Sequence, residues 1–231
     1  MSMVSETLIP PNGLINKFRY YSKRYGVIST LCRYVGRKSA TFWKMAGPWA
    51  TAGYLGRWLA EPGPRILNLG GGGNLRSDWL TADIDPRSEV YVDITRRLPF
   101  PNNSVHSVFL EEVIEHISLQ DAKALLLEIG RILVPGGVVR ITTPDLTYIC
   151  RQLLERPHET QEINDIFYLH HHRHLYSPPE LLEVSQSCGF VETLVSKYKD
   201  PLSTLGYLDS HAERFNHVPE FLQYLELHKP R

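Results

Sequence analysis

Cysteine is scarce in this chain, and the few copies present are poorly placed for pairing. The 231 residues include three cysteines, Cys32, Cys150 and Cys188, which lie far apart and form no C-x-x-C pair. An odd number of isolated thiols argues against a disulfide framework and against the usual zinc-finger spacings. We therefore expect a reducing, cytoplasmic location.

Long apolar runs are also lacking. No segment reaches the roughly 20 apolar residues of a membrane-spanning helix, and the N-terminus has no apolar core of a signal peptide. Hydrophobic residues make up 42% of the chain and charged residues 22%, which is typical of an ordinary folded domain. This length suits one sizeable α/β domain with an accessory segment.

The chain has no net charge, but its charges are unevenly distributed. Residues 1–60 contain nine lysines and arginines against the single acid Glu6. The overall neutrality argues against a nucleic-acid partner and leaves a small molecule as the expected substrate. Cationic helices can dock on an anionic membrane or an acidic partner. Their aromatic residues equally suit packing on the chain's own domain, so we expect no membrane docking, and the oligomeric state stays open.

Breaker residues divide the sequence near residue 62. A Pro-Pro-Asn-Gly turn ends an N-terminal arm, and apolar residues at three- and four-residue steps from Leu14 to Cys32 predict one helix. A second, aromatic-rich helix is predicted around residues 40–59. The cluster "EPGPR" at 61–65 follows it. We predict a helical segment over residues 1–62 and a second domain over residues 63–231.

From residue 65 onward, strand-like and helix-like segments alternate. A strongly periodic helix is predicted at 119–133, and another begins after Ser177, a plausible N-cap followed by Pro178. Such alternation predicts a doubly wound, Rossmann-like α/β sheet. The predicted strands are 65–69, 79–83, 89–92, 106–110, 137–142, 190–197 and 221–228.

The stretch "RILNLGGGGNLRSDWLTADID" (65–85) carries the main chemical signal. A strand runs into Gly70–Gly73, and glycine lets a ligand approach the main chain closely at the carboxyl edge of a sheet. Asp83 ends the next strand, where a carboxylate can accept both hydroxyls of a ribose. Glycine loops also serve as plain tight turns, but the acid favours a nucleoside site. A dinucleotide fold is disfavoured, because Leu75 replaces the third glycine and Asp83 follows too soon.

Two downstream segments refine this prediction. "LPFPNNSVHSVFLEEVIEHI" (98–117) and "EIGRILVPGGVVRIT" (128–142) resemble the class I S-adenosylmethionine-dependent methyltransferases over about residues 65–230. The resemblance implies a seven-stranded mixed sheet whose last strand is antiparallel. It also implies that the N-terminal helices form a lid over the cofactor.

The same resemblance implies roles for individual residues. Asn68 departs from the usual acid of the first strand, which removes indirect support for the ammonium group of the cofactor, and His106 departs from the usual Asp of the fourth. The implied cofactor contacts are Gly70 and Gly72 at the aminoacyl part, Asp83 at the ribose, Asp93 with Ile94 at the adenine edge, and Glu111 with Glu112 near the sulfonium. Asp93 has a plain strand-end turn role as its alternative, and Glu111 and Glu112 have that of a solvated loop pair.

A narrower resemblance rests on the whole chain. Its length, its helical N-terminal segment, "NLGGGGN" and "NDIFYLHHHRHLYSPPEL" are together similar to the azetidine-2-carboxylate synthases. In that family the α-amino group of S-adenosylmethionine attacks its own γ-carbon and expels 5′-methylthioadenosine. The alternative reaction is methyl transfer to a small-molecule acceptor.

Cyclisation needs a neutral amine held behind the carbon–sulfur bond. Neutral acceptors can take its N–H bonds, whereas a nearby carboxylate would stabilise the ammonium. The candidates are Tyr176, Asn164 and Ser203, each with a packing, surface or loop role as the alternative. The histidines of "HHHRH" (170–174) are not expected to bind metal, because adjacent imidazoles cannot all face one ion and no acid is near in sequence.

Overall fold

The computed structural model describes residues 8–158, 160–215 and 218–231. All seven predicted strands are confirmed, with ends that differ by a few residues. They are β1 (Ile66–Leu69), β2 (Leu80–Asp83), β3 (Val90–Tyr91), β4 (Val105–Glu111), β5 (Leu133–Pro144), β6 (Val191–Ser196) and β7 (Leu222–His228). Their order in the sheet is β3-β2-β1-β4-β5-β7-β6. β7 pairs antiparallel with β5 and β6, so the predicted mixed sheet with an antiparallel last strand is confirmed.

Three helices precede β1, no α-helix separates β1 to β4 within the described residues 66–111, and the remaining helices lie between the later strands. The helices are α1 (Leu14–Tyr25), α2 (Val27–Gly36), α3 (Ala40–Ala60), α4 (Leu119–Ile132), α5 (Leu146–Glu155), α6 (Gln161–Tyr168), α7 (Pro178–Ser187) and α8 (His211–Phe215). Among the described residues, no helix combines the length and the apolar character needed to cross a membrane. The chain forms two compact units, residues 1–99 and 100–231. The helical segment predicted for residues 1–62 ends with α3, which packs against β3 within the first unit. Its service as a lid stays a prediction.

The first unit corrects the prediction of a single helix between Leu14 and Cys32. Gly26, with φ of 89°, separates α1 from α2. This left-handed conformation favours glycine and breaks the helix. The buried side of α2 is also unexpected, because it carries Ser29, Thr30 and Arg33. The Arg33 guanidinium donates to the main-chain carbonyls of Ser88 and Glu89, which explains why a polar face turns inward.

A buried carboxylate links the helices of the first unit to its strands. Glu89 is only 1% exposed. Its oxygens accept hydrogen bonds from the Thr81 main-chain N–H at 2.9 Å and the Tyr54 hydroxyl at 2.8 Å, and Arg24 forms an ion pair with it. Because removing one partner would leave an uncompensated buried charge, these contacts hold α1 and α3 on the β2–β3 region.

The second unit is organised around β4 and β5. Helix α4 begins at the Ser118 cap, whose hydroxyl accepts the Asp121 N–H at 3.1 Å, and its buried face is wholly apolar. Arg140 of β5 forms a fully buried ion pair with Asp209, with N–O distances of 2.6 Å. Arg140 also donates to the Ser203 hydroxyl at 3.0 Å. This network fixes the segment between β6 and α8 on the sheet.

Candidate active site

The glycine loop of the first unit follows β1 directly. Gly70 and Gly72 have φ of 75° and 55°, which residues with a side chain rarely adopt. At Gly71 a Cβ would lie only 2.1 Å from Nδ2 of Asn68. The loop therefore requires glycine at three consecutive positions, which leaves its main chain open to close approach by a ligand.

Asp83 lies where the sequence placed it, at the end of β2. Its Oδ2 accepts the Gly72 N–H at 2.7 Å, and its Oδ1 accepts the Asp85 N–H at 2.9 Å. Burial is the main cause that raises the pKa of this carboxyl above its ordinary value. A carboxylate can accept about four hydrogen bonds, so Asp83 retains capacity for hydroxyl donors such as those of a ribose.

Two amides beside the loop have side-chain nitrogens without a partner. Among the residues that the structure describes, the buried Nδ2 atoms of Asn68 and Asn74 donate to no acceptor. Buried donors without a partner are unusual and point to a ligand that accepts hydrogen bonds. A carboxylate, such as the one in the aminoacyl part of S-adenosylmethionine, has this chemistry. The loop residues therefore fit the predicted cofactor, although Asn68 replaces the customary acid.

A cavity of about 540 Å³ lies in the first unit between the α2–α3 turn and the residues after β2. Asp93, one of the two predicted adenine-edge residues, lines this cavity, whereas Ile94 does not. Ile84 also lines it and is 60% exposed, as an apolar residue directly after Asp83. Ile84 was not predicted from the sequence. Its position directly after Asp83, the acid expected at the ribose, could have suggested it as a residue that stacks on the base.

Glu111 and Glu112 end β4 in the second unit and have different environments. Four donors bind the buried Glu111 carboxylate: the main-chain N–H groups of Ser210 and His211 at 2.7 and 3.0 Å, the Ser210 hydroxyl at 2.8 Å and Arg214 at 2.8 Å. These contacts fill its acceptor positions. The structure thus gives Glu111 a positioning role toward α8, and its predicted contact with the sulfonium stays a prediction.

Glu112 has a strained main chain and a shifted pKa. Its φ is 54°, which is uncommon for a residue with a side chain and is often found at functional sites. Its N–H donates to the Thr142 carbonyl at 2.9 Å. Burial, together with the nearby Glu111, raises the pKa of the Glu112 carboxyl from 4.5 to about 7. A carboxyl with this pKa can accept and release protons near neutral pH.

Glu112 also lines a cavity of about 540 Å³ within the second unit. This volume lies in the range of sites for small molecules. Its wall contains apolar and polar residues, and it is formed by the end of β5, helices α5 and α6, the histidine loop and the segment just before β7. The lining includes Tyr148, Ile149, Arg156, Asp165, Ile166, His170, His172 and Phe221.

The three predicted catalytic residues lie in the second unit, but none lines this cavity. Tyr176 is fully buried, its hydroxyl has no hydrogen-bond partner, and burial raises its pKa well above the ordinary value. Asn164 is exposed and donates to the Thr160 carbonyl of its own helix at 2.9 Å. The Ser203 hydroxyl takes part in the Arg140 network and donates to Glu226. The side chains of Asn164 and Ser203 thus form hydrogen bonds with other groups of the protein. The catalytic roles of all three residues stay predictions.

The histidine loop has a neighbour that sequence spacing did not suggest. One donor atom each from Glu115, His116 and His172 lies within 4.8 Å of the other two. The rings of His116 and His172 meet edge to face, with centroids 4.7 Å apart. Burial and the neighbouring imidazoles lower the pKa of His172 to about 4. The acid that appeared to be missing near "HHHRH" therefore comes from 57 positions earlier in the chain.

Comparisons with known proteins agree with this description. Residues 69–141, about a third of the chain, match the family described as methyltransferase domain. A search of curated proteins finds no match. A SAM-dependent methyltransferase from Archaeoglobus fulgidus is 14% identical with a TM-score of 0.49, and the match covers 92% of this chain and 99% of that one. Another SAM-dependent methyltransferase, from Thermotoga maritima, is 15% identical with a TM-score of 0.48, and the match covers 92% of this chain and 97% of that one.

A third solved structure is phosphoethanolamine N-methyltransferase 2 from Haemonchus contortus in complex with S-adenosyl-L-methionine. It is 16% identical with a TM-score of 0.45, and the match covers 93% of this chain and 60% of that one. Similarities at this level do not identify a reaction. The chain has a Rossmann-like α/β fold with a seven-stranded mixed sheet, and residues 69–141 match the methyltransferase-domain family.

Proposed function

We propose that this chain is an S-adenosylmethionine-dependent methyltransferase that acts on a small-molecule acceptor. One observation carries the proposal: Glu112, whose carboxyl pKa is about 7, lines a cavity large enough for a second molecule. An enzyme that only cyclises S-adenosylmethionine needs no room for an acceptor. The cavity therefore favours methyl transfer over the cyclisation that the narrower sequence resemblance implied.

The residues of the first unit would bind S-adenosylmethionine. The main chain of Gly70–Gly73 and the unpartnered amides of Asn68 and Asn74 suit its aminoacyl part. Asp83 suits the ribose hydroxyls, and Ile84 with Asp93 suits the adenine. When bound, S-adenosylmethionine supplies an electrophilic methyl group on a positively charged sulfur.

The residues of the second unit would bind and activate the acceptor. Tyr148, Ile149, Ile166 and Phe221 give the cavity an apolar wall that excludes water from part of the acceptor. Glu112, when ionised, accepts a proton from an acceptor amine or hydroxyl, which leaves a lone pair available for attack. The acceptor class is therefore a small molecule that carries an amine or hydroxyl next to an apolar group.

Cyclisation to azetidine-2-carboxylate is the second candidate function. The Tyr176 hydroxyl favours it, because this neutral group is buried without a hydrogen-bond partner and could accept an N–H bond from the α-amine. Burial also keeps the phenol protonated, so it adds no negative charge that would stabilise the ammonium. Under this candidate Asn164 and Ser203 keep their predicted supporting roles.

Product analysis separates the two reactions. The purified full chain is incubated with S-adenosylmethionine alone and with a panel of small amines and alcohols, and the mixtures are analysed by mass spectrometry. Methyl transfer gives S-adenosylhomocysteine and a methylated acceptor only in the second case. Cyclisation gives equal amounts of methylthioadenosine and azetidine-2-carboxylate without any acceptor. If calorimetry detects no binding of S-adenosylmethionine, both candidates are wrong.

The variants Glu112→Gln and Tyr176→Phe assign the reaction to residues. Loss of methyl transfer in Glu112→Gln with retained S-adenosylmethionine binding supports the role of Glu112 as the general base. Loss of cyclisation in Tyr176→Phe supports the role of the Tyr176 hydroxyl as the acceptor of an N–H bond from the α-amine. Unchanged methyl transfer in Glu112→Gln, across pH 6 to 9, would contradict the role given to Glu112.

A further inference from the structure

Three metal-binding side chains meet just after β4, and nothing in the proposed methyl transfer uses them. Glu115 and His116 lie in a 3-10 turn, Ile114–His116, and His172 lies in the loop after α6. Their donor atoms are all within 4.8 Å of one another. A ligand set of two imidazoles and one carboxylate is typical of zinc and of non-haem iron sites.

Glu115 provides the strongest sign that a partner belongs there. The residue is fully buried, and its Oε2 accepts the Thr143 hydroxyl at 2.9 Å. Its Oε1 is buried as well but has no hydrogen-bond partner within the described part of the chain. A buried carboxyl oxygen without a hydrogen-bond donor is unusual in a native structure, and a bound ion or water molecule is one explanation for it. A cation beside Oε1 would be such an ion.

The segment that follows His172 is held by the main-chain carbonyl of Glu115. The N–H groups of Arg173 and His174 donate to the main-chain carbonyl of Glu115 at 2.7 and 3.2 Å. This pairing attaches the histidine loop to the turn that carries the other two ligands. The Nδ1 atom of His172 is buried without a partner. Each of these two segments thus carries one buried atom without a hydrogen-bond partner among the described residues, and a ligand atom of Glu115 lies within 4.8 Å of one of His172.

We propose that Glu115, His116 and His172 bind one divalent transition-metal ion, with zinc as the ion to test. Three such donors around one ion, each about 2.0–2.2 Å from it, lie about 3–4 Å apart. The side chains therefore need to move only slightly. Three protein ligands leave at least one coordination position open. His172 also lines the cavity beside Glu112, so this position is available to an oxygen or nitrogen atom of a bound small molecule.

Zinc binding to the full chain tests the proposal without any activity measurement. The chain is stripped with a chelator and titrated with zinc in competition with a chromophoric chelator. We expect one zinc per chain, and at least about 100-fold weaker binding in His172→Ala and Glu115→Gln, since even outer-shell changes weaken zinc sites 10- to 100-fold. His158→Ala is the matched control, because His158 is an exposed histidine outside the ligand set. Its affinity should be unchanged.

Cobalt gives a second measurement that also reports geometry. Cobalt bound to the three ligands produces visible absorption bands, and these should be lost in His172→Ala. Circular dichroism and thermal melting check that each variant is folded. If Glu115→Gln does not fold, His172→Ala decides the result, because its side chain is partly exposed. Substoichiometric binding, or binding that both ligand variants retain, would overturn the proposal.

A separate observation concerns the outer surface of α1 and α2. Val27, Ile28 and Leu31 of α2, together with Leu14 and Ile15 of α1, are each at least half exposed. The inward side of α2 is the polar one. A globular helix normally buries its apolar side, so this surface, which we name the outer apolar face, is expected to meet an apolar partner.

Charge identifies the partner. Residues 8–60 contain nine lysines and arginines and no acid; Arg24 and Arg33 are held by inward contacts, and the other seven are exposed. Helices that combine an exposed apolar face with dense positive charge bind the surface of anionic bilayers. From the outer apolar face and this charge together we infer that α1 and α2 dock on an anionic lipid surface, contrary to the expectation from sequence.

Vesicle co-sedimentation tests this inference. The full chain should sediment with vesicles containing phosphatidylglycerol and remain in solution with pure phosphatidylcholine vesicles. Ile28→Asp combined with Leu31→Asp should reduce the bound fraction several-fold. Leu154→Asp, at an exposed apolar residue of α5, is the control and should bind as the unaltered chain does. Equal binding to both vesicle types, or self-association that the double variant abolishes without vesicle binding, would refute it.

Discussion

Replacement of Glu112 by glutamine should make the protein more stable and less active at the same time. In the folded protein the pKa of this carboxyl is about 7, compared with an ordinary value of 4.5. Burial and the nearby Glu111 therefore disfavour its ionised form. Glutamine keeps the size and polarity of the side chain but carries no charge.

The sign and size of the stability change follow from these two pKa values. Below pH 4.5 the carboxyl is protonated in both the folded and the unfolded chain, so the variant gains nothing. Between pH 4.5 and about 7 only the unfolded chain ionises, and the unaltered protein loses stability as the pH rises. Above pH 7 the loss is complete, at roughly 3 kcal/mol when each pH unit contributes 1.36 kcal/mol.

Urea unfolding between pH 4 and pH 8 measures this difference. We expect equal stability of the variant and the unaltered chain at pH 4, and an advantage of roughly 2–3 kcal/mol for the variant at pH 8. Over the same pH range the methyl-transfer rate of the unaltered chain should rise through about pH 7, and the variant should be about 100-fold slower. Glu155→Gln, on the exposed end of α5, should change stability by less than about 0.5 kcal/mol at any pH. A stability difference between Glu112→Gln and the unaltered chain that does not vary with pH would refute the reasoning.

Three further predictions concern the cofactor loop and the buried ion pair. Gly71→Ala should destabilise the chain by about 1–3 kcal/mol in urea unfolding, because the new methyl group has no room. Gly53→Ala, with open space around its Cβ in α3, should instead stabilise it by up to about 1 kcal/mol. Asp83→Asn should weaken S-adenosylmethionine binding about 10- to 100-fold in calorimetry, and unchanged affinity would contradict a ribose contact. Arg140→Met should cost about 3–5 kcal/mol because the Asp209 charge is left buried, and a second change, Asp209→Leu, should recover most of the loss.

Local sequence signals were sufficient to locate the strands along the chain. Glycine, proline and apolar alternation act over a few residues, so each strand and helices α3, α4 and α7 could be predicted from short windows, whereas α5, α6 and α8 were not predicted. Two further departures from the prediction have local causes. Gly26 splits the predicted first helix because its φ is 89°. β5 begins at Leu133, before the Pro-Gly-Gly sequence that resembles a turn. The register between β4 and β5 shifts between Val105 and Ser107, so β5 continues through this sequence as an irregular strand.

The glycine-loop positions proposed for the cofactor were partly predictable, and the cluster of Glu115, His116 and His172 was not. The glycines and Asp83 are adjacent to strand ends, so the topology of parallel sheets brings them to one edge. The approach of His172 to Glu115 depends on a loop that folds back across 57 positions, which no spacing rule reveals. The inward face of α2 was missed for a similar reason. Arg33 is drawn inside by main-chain carbonyls of a distant loop, and these outweigh the apolar pattern.

The ties of Glu89 to Arg24 and Tyr54 determine how this chain can be shortened or recombined. A fragment that starts after α3 would keep the Glu89 carboxylate in the interior and lose the cation and the phenol that compensate it. Such a fragment is expected to be unstable unless position 89 is changed as well. Exchange of the N-terminal helices with those of a related protein would meet the same barrier. Arg24, Tyr54 and Glu89 are thus expected to change together. The N-terminal helices, which resemble an added accessory, are expected to be needed for the stability of the strands that they contact.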